Sequence, residues 1–81
     1  MKEDLKAIAR HNGIHIIKDK LVEELHELLA AIKKNDEANV IEEIADVMIM
    51  CRQYVHSKGL EFELHVNTLK KIERTIERLG L

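Results

Sequence analysis

The segments LVEELHELLAAI (residues 21–32) and IEEIADVMIM (residues 41–50) decide how this chain is read. Both carry apolar residues at the 3.6-residue helical period, and each breaks that pattern with two carboxylates at i, i+3. The pairs are Glu24 with Glu27, and Glu43 with Asp46. Four acids therefore stand beside positions that a small helical protein needs for its core.

Around these segments the composition is that of an all-α protein. The 81 residues include no Pro, three Gly and one residue each of Tyr and Phe, while 35% are charged. Leu, Ile, Ala, Glu and Lys dominate, all compatible with helix. At this length a monomer buries only about 60 to 65% of the surface of its unfolded chain, so a partner chain would add needed core. A net charge of -2 with interspersed signs gives no electrostatic reason to expect nucleic acid as a partner. No apolar run approaches the roughly 20 residues of a membrane span, and no cleavable signal peptide is visible. The single cysteine, Cys51, has no intrachain partner, which points to a reducing cytoplasm. Within its helix pattern it reads as a small buried apolar residue.

Glycines and polar turns divide the chain. A short amphipathic lead with Leu5, Ile8 and Ala9 on one side ends at Asn12-Gly13, a combination that stops helices in the left-handed conformation. From residue 14 to about residue 34 the positions Ile14, Ile17, Leu21, Leu25, Leu28 and Ile32 keep the helical period. Asn35-Asp36 makes the next turn, either residue being able to cap a second long helix that runs to about Ser57 and closes at Gly59. A third spans about residues 61–79, with Val66, Leu69, Ile72, Ile76 and Leu79 on its apolar side. Short turns between long helices predict antiparallel neighbours. The chain thus reads as one domain, residues 1–81, with a lead over 1–13 and a helical core over 14–80. In the second long helix Ile41, Ile44, Met48, Cys51 and Val55 form the main stripe, and Val47, Met50 and Tyr54 extend it along one flank. Three helices cannot cover both, so the predicted fold is an antiparallel helical bundle completed by homo-oligomerisation, as a dimer or tetramer.

Glu43 and Asp46 occupy the N-terminal part of that same flank, and Glu24 lies beside the core stripe of the first long helix. An exposed helical Glu usually has a Lys or Arg three or four residues away. Of the four acids only Glu24 has one, Lys20. Packing the two helices together would crowd like charges, which a hard divalent cation relieves. Mg²⁺, with Mn²⁺ as a substitute, suits oxygen donors and keeps waters for a phosphate substrate. The competing explanation of any single ExxE is a solvated acidic face, but two such pairs on consecutive helices weigh against it. HELLA (residues 26–30) lacks the second His of a zinc-protease HExxH motif, so that chemistry is excluded.

With the residues laid out, EELHELLAAI followed by EEIADVMIM resembles the MazG-like all-alpha nucleoside triphosphate pyrophosphohydrolases, whose signature is ExxE, a variable gap, then ExxD. The resemblance runs from about residue 14 to residue 79 and includes the downstream stretch NTLKKIER. It implies that Glu24, Glu27, Glu43 and Asp46 bind Mg²⁺, that Glu23 orients or activates water, that Lys71 and Arg74 face the phosphates, and that Asn67 contacts substrate. The implied reaction is cleavage between the α and β phosphates of a nucleoside triphosphate. Two other readings compete: a non-catalytic helical interaction or regulatory protein, and a related pyrophosphatase acting on phosphoribosyl-ATP. With Tyr54 and Phe62 as the only aromatics, little is available to stack a base, and the preferred nucleotide is not specified.

Overall fold

The computed structural model describes residues 2–81, with Met1 outside the described residues. They form three helices, α1 (Lys2–Lys33), α2 (Glu37–Lys58) and α3 (Glu61–Leu79). No strand occurs among the described residues, and no helix is long and apolar enough to cross a membrane. Local chemistry sets the helix ends. The Asp36 carboxylate accepts the Asn39 amide at 3.2 Å, satisfying one of the orphan donors at the start of α2. At the other end Gly59 adopts φ 65, ψ 36. Its amide donates to His56 O at 3.1 Å and that of Leu60 to Val55 O at 3.0 Å, the paired bonds of a Schellman stop.

The lead meets the rest of α1 at a kink, and the break falls at Gly13, as the Asn12-Gly13 pair suggests. The backbone of Gly13 stands at φ 76, ψ 161, outside the helical region, and divides α1 into the lead and a longer stretch. That combination is open essentially to glycine alone. A Cβ built there would meet nothing within 4 Å, so backbone conformation and not crowding demands glycine. Beside the kink, Asn12 Nδ2 donates to Gln53 Oε1 at 3.1 Å. Gln53 is only 2% exposed and donates in turn to Met50 Sδ at 3.7 Å. These bonds fasten the lead to α2 and satisfy an amide that would otherwise be costly to bury.

α1 and α2 pack as an antiparallel hairpin. Ala9, Ile17, Ala31 and Met50 are buried, with Leu21 and Tyr54 against the cluster of Ala9, Ile17 and Met50, and among the described residues Ile17, at 0% exposure, is the one large side chain fully enclosed. The face of α2 that meets α1 is the flank, Val47, Met50 and Tyr54. The expected main stripe is outside: Ile41 is 67% and Met48 51% exposed, and Cys51 is exposed as well. On α1, Leu25 and Ile32 are likewise exposed. The reason is geometric. α2 is apolar on two sides, and the single helix lying against it can cover only one.

α3 departs further from expectation, since it does not lie down as a third antiparallel neighbour. It makes little backbone contact with α2 and none with α1, and none of its residues is buried. The radius of gyration is 14.9 Å, against about 12 Å for a compact domain of this length. Accessible surface is 6582 Å², while a compact monomer of 9.4 kDa would show about 5,000 Å².

The Gly13 conformation yields a direct test. Gly13→Ala forces an L-residue into a glycine-only region and should cost about 1–3 kcal/mol in urea denaturation. Unchanged stability would mean that the kink is not a constraint on the fold.

Candidate metal centre

The α1–α2 interface that makes the core also gathers acids. Continuing toward the turn from Ile17 and Leu21, the α1 face that meets α2 presents Glu24, Leu28 and Ala31; the facing stripe on α2 runs from Met50 through Val47 to Glu43. Glu24 and Glu43 therefore occupy positions that elsewhere along the same seam are filled by apolar residues. One carboxylate oxygen from each of Glu24, Glu27 and Glu43 lies within 4.8 Å of the other two. Glu24 and Glu43 are half-buried and Glu27 is exposed.

Asp46, the fourth acid of the sequence pattern, is exposed and stands outside this triad. Its position on the flank turns it from the seam toward the side where Glu27 lies, so it borders the cluster. Glu23, also exposed, precedes Glu27 by four residues on the same side of α1. Lys71, Arg74 and Asn67 are exposed on α3, and the divergence of α3 keeps them away from the acids of their own chain. The Asn67 amide is spent on Glu63 O, to which it donates at 2.7 Å. Sequence reasoning overlooked Gln53 and its pairing with Asn12, which fastens the lead to α2; the available signal was an amide interrupting the apolar flank between Met50 and Tyr54.

Electrostatics marks the triad as a site under strain. The Glu24 carboxyl is pushed up to about 7, first by burial and then by the charges of Glu27 and Asp46. Burial and the neighbouring Glu27 also push Glu43 up. Glu24 Oε2 and Glu43 Oε2 are buried without a hydrogen-bond partner, although buried oxygens in folded proteins nearly always have one. Such an all-oxygen donor set fits a hard divalent cation, which would satisfy both orphans and cancel the repulsion.

The raised Glu24 pKa gives a pH dependence with a definite sign. Its folded value lies above the unfolded one, so between pH 4.5 and about 7 the folded chain holds the extra proton. Stability should therefore fall as pH rises through that window. With divalent cations chelated, melting temperature should drop between pH 5 and pH 8, and Glu24→Gln should flatten the slope. A chelated protein equally stable across the range would contradict the clustering of these acids.

Comparison with known families agrees with this arrangement. The family model of the MazG nucleotide pyrophosphohydrolase domain matches residues 6–79, spanning all three helices and both acidic motifs. No curated protein gives a significant match, and no solved structure does either. With nearly its whole length matched, the chain belongs to the MazG nucleotide pyrophosphohydrolase family.

Proposed function

We propose that this protein is a Mg²⁺-dependent hydrolase that splits a nucleoside or deoxynucleoside triphosphate between its α and β phosphates, releasing the monophosphate and pyrophosphate. The observation that carries this reading is the Glu24, Glu27, Glu43 triad with its two orphaned buried oxygens. Those three carboxylates would hold the cation, with Asp46 adding negative charge at the border; Mn²⁺ has the same oxygen preference. When bound, the metal supplies charge neutralisation on the polyphosphate and activation of water. Glu23, exposed on the same side of α1 as Glu27, would orient that water and accept its proton. Lys71 and Arg74, at i, i+3 on one side of α3, would neutralise the departing pyrophosphate, with Asn67 one turn earlier available for substrate once its bond to Glu63 O is released.

The same reading includes a homo-oligomer of at least two chains. Leu25, Leu29 and Ile32 of α1 and Ile41, Ile44 and Met48 of α2 lie on the side of the hairpin opposite Glu27 and Asp46, as helical geometry and antiparallel pairing require. They form one apolar plate, with Leu29 50% exposed at its margin. The chain exposes about 1,600 Å² more than a compact monomer of its mass would, well above the ~800 Å² that each partner gives to a standard interface. A second copy laid on the plate would leave the acids facing outward. The free Cys51 thiol supports a reducing, cytoplasmic location.

Two experiments test this. Incubated with Mg²⁺ and a panel of triphosphates that includes phosphoribosyl-ATP, the protein should yield intact pyrophosphate and a monophosphate. Asp46→Asn and Glu43→Gln should each lower kcat by on the order of 10²-fold or more, and Lys71→Ala by less. Orthophosphate with a diphosphate would refute the cleavage position; a complete lack of turnover would favour the non-catalytic interaction protein. Light scattering at micromolar concentration should show no monomer, and the double substitution Ile44→Asp, Met48→Asp should dissociate or unfold the assembly. A stable wild-type monomer would overturn the oligomeric part.

A further inference from the structure

Far from the acids, at the open end of the hairpin, the kinked lead, the end of α2 and the start of α3 enclose a cleft of about 390 Å³, the size of a small-molecule site. Its charge is opposite to that of the metal centre. Lys2, Lys6 and Arg52 line it, against a single carboxylate, Glu61. In a chain of net charge -2, this is a local surplus of positive charge. The one carboxylate offsets only part of it: Glu61 is also bonded to His56 Nδ1 at 3.3 Å. Its acidity is strengthened first by its own backbone amide at the start of α3, then by His56 and Lys6. Lys6 has a long ion pair to Glu3 at 3.7 Å, and neither Lys2 nor Arg52 has a carboxylate partner among the described residues. Between these charges the wall is apolar, formed by Leu5, Val55 and Leu64.

We propose that this cleft is a second binding site, separate from the metal centre, for a small amphiphilic organic anion. Its phosphate or carboxylate head would pair with Lys2, Lys6 and Arg52 while a compact apolar body lies on Leu5, Val55 and Leu64. Two observations converge on that chemistry. Cations alone would hold inorganic ions only weakly in water, because exposed pairs at high dielectric contribute little. An apolar wall alone would take neutral ligands. The two together select a molecule carrying both parts, and the apolar body excludes water from the ion pairs, which strengthens them.

Phenyl phosphate, benzyl alcohol and inorganic phosphate separate these contributions. In amide-resolved NMR titrations of the full chain in chelator, phenyl phosphate should saturate with a dissociation constant on the order of 1 mM or tighter. Its shifts should centre on Leu5, Val55 and Leu64 and spare Glu24 and Glu43. Inorganic phosphate and benzyl alcohol should each bind about 10-fold more weakly or worse, the loss of one charge or apolar contribution. Arg52→Glu should weaken phenyl phosphate by a similar factor, and Leu64→Gln, at a half-exposed position, provides a second variant that leaves the hairpin core untouched. Equal binding of inorganic phosphate would show an adventitious ion only and overturn the site. Absence of saturable phenyl phosphate binding, or shifts centred on the acids, would overturn it too.

Discussion

Two half-buried carboxylates in the seam between α1 and α2 set the terms for the rest of the structure. Glu24 and Glu43 stand where the hairpin would otherwise continue the packing of Ile17, Leu21, Val47 and Met50. Burial, followed by the charges of Glu27 and Asp46, raises their pKa values, and their inner oxygens lack partners. A core this small cannot absorb such a defect cheaply, so the hairpin is strengthened elsewhere: Ile17 is fully enclosed, and Gln53 is locked to Asn12 across the kink. The seam is therefore well packed toward the lead and electrostatically strained toward the turn, a strain that a bound divalent cation would relieve.

The division of labour on α2 follows from the same seam. Because its acid-bearing flank faces α1, the richer apolar stripe through Ile41, Ile44 and Met48 is turned outward. The side chains that would form the core of a larger bundle instead make a plate beside the matching exposed residues of α1. α3, amphipathic and without a buried residue, has the same character. Both features support the proposed association, which would keep the acids on the outer side, open to a polyphosphate.

Much of this was legible in the residues and some was not. Asp36 as a cap, Gly59 as a stop and the 3.6-residue periods mark the helices, because those signals act within a few residues of where they are written. The clustering of Glu24, Glu27 and Glu43 was legible for the same reason: their spacing fixes a helix face, and the missing Lys and Arg neighbours reveal the repulsion. Which face of α2 meets α1 was not legible, since both of its sides are apolar and the choice depends on partners distant in sequence. Periodicity could not place α3 either, because amphipathicity reports that a face will be covered and not by which chain. The break at Asn12-Gly13 was legible, but the direction the lead takes beyond it was not, because it is fastened to α2 through Gln53, 41 positions beyond Asn12. The cleft between the lead and α3 depends on that same long-range bond and has no local signature.

The claim that the α1–α2 acids form a cation site is tested most directly by calorimetric titration of Mg²⁺ or Mn²⁺ near pH 7 in two buffers of different ionisation enthalpy. With Glu24 near half-protonation in the metal-free chain, cation binding should release a fraction of a proton, so the observed heat should depend on the buffer. Glu24→Gln should remove that dependence. Saturable binding at one site per chain with buffer-dependent heat is the result this account requires. No binding at millimolar cation, or identical heats in both buffers, would contradict it.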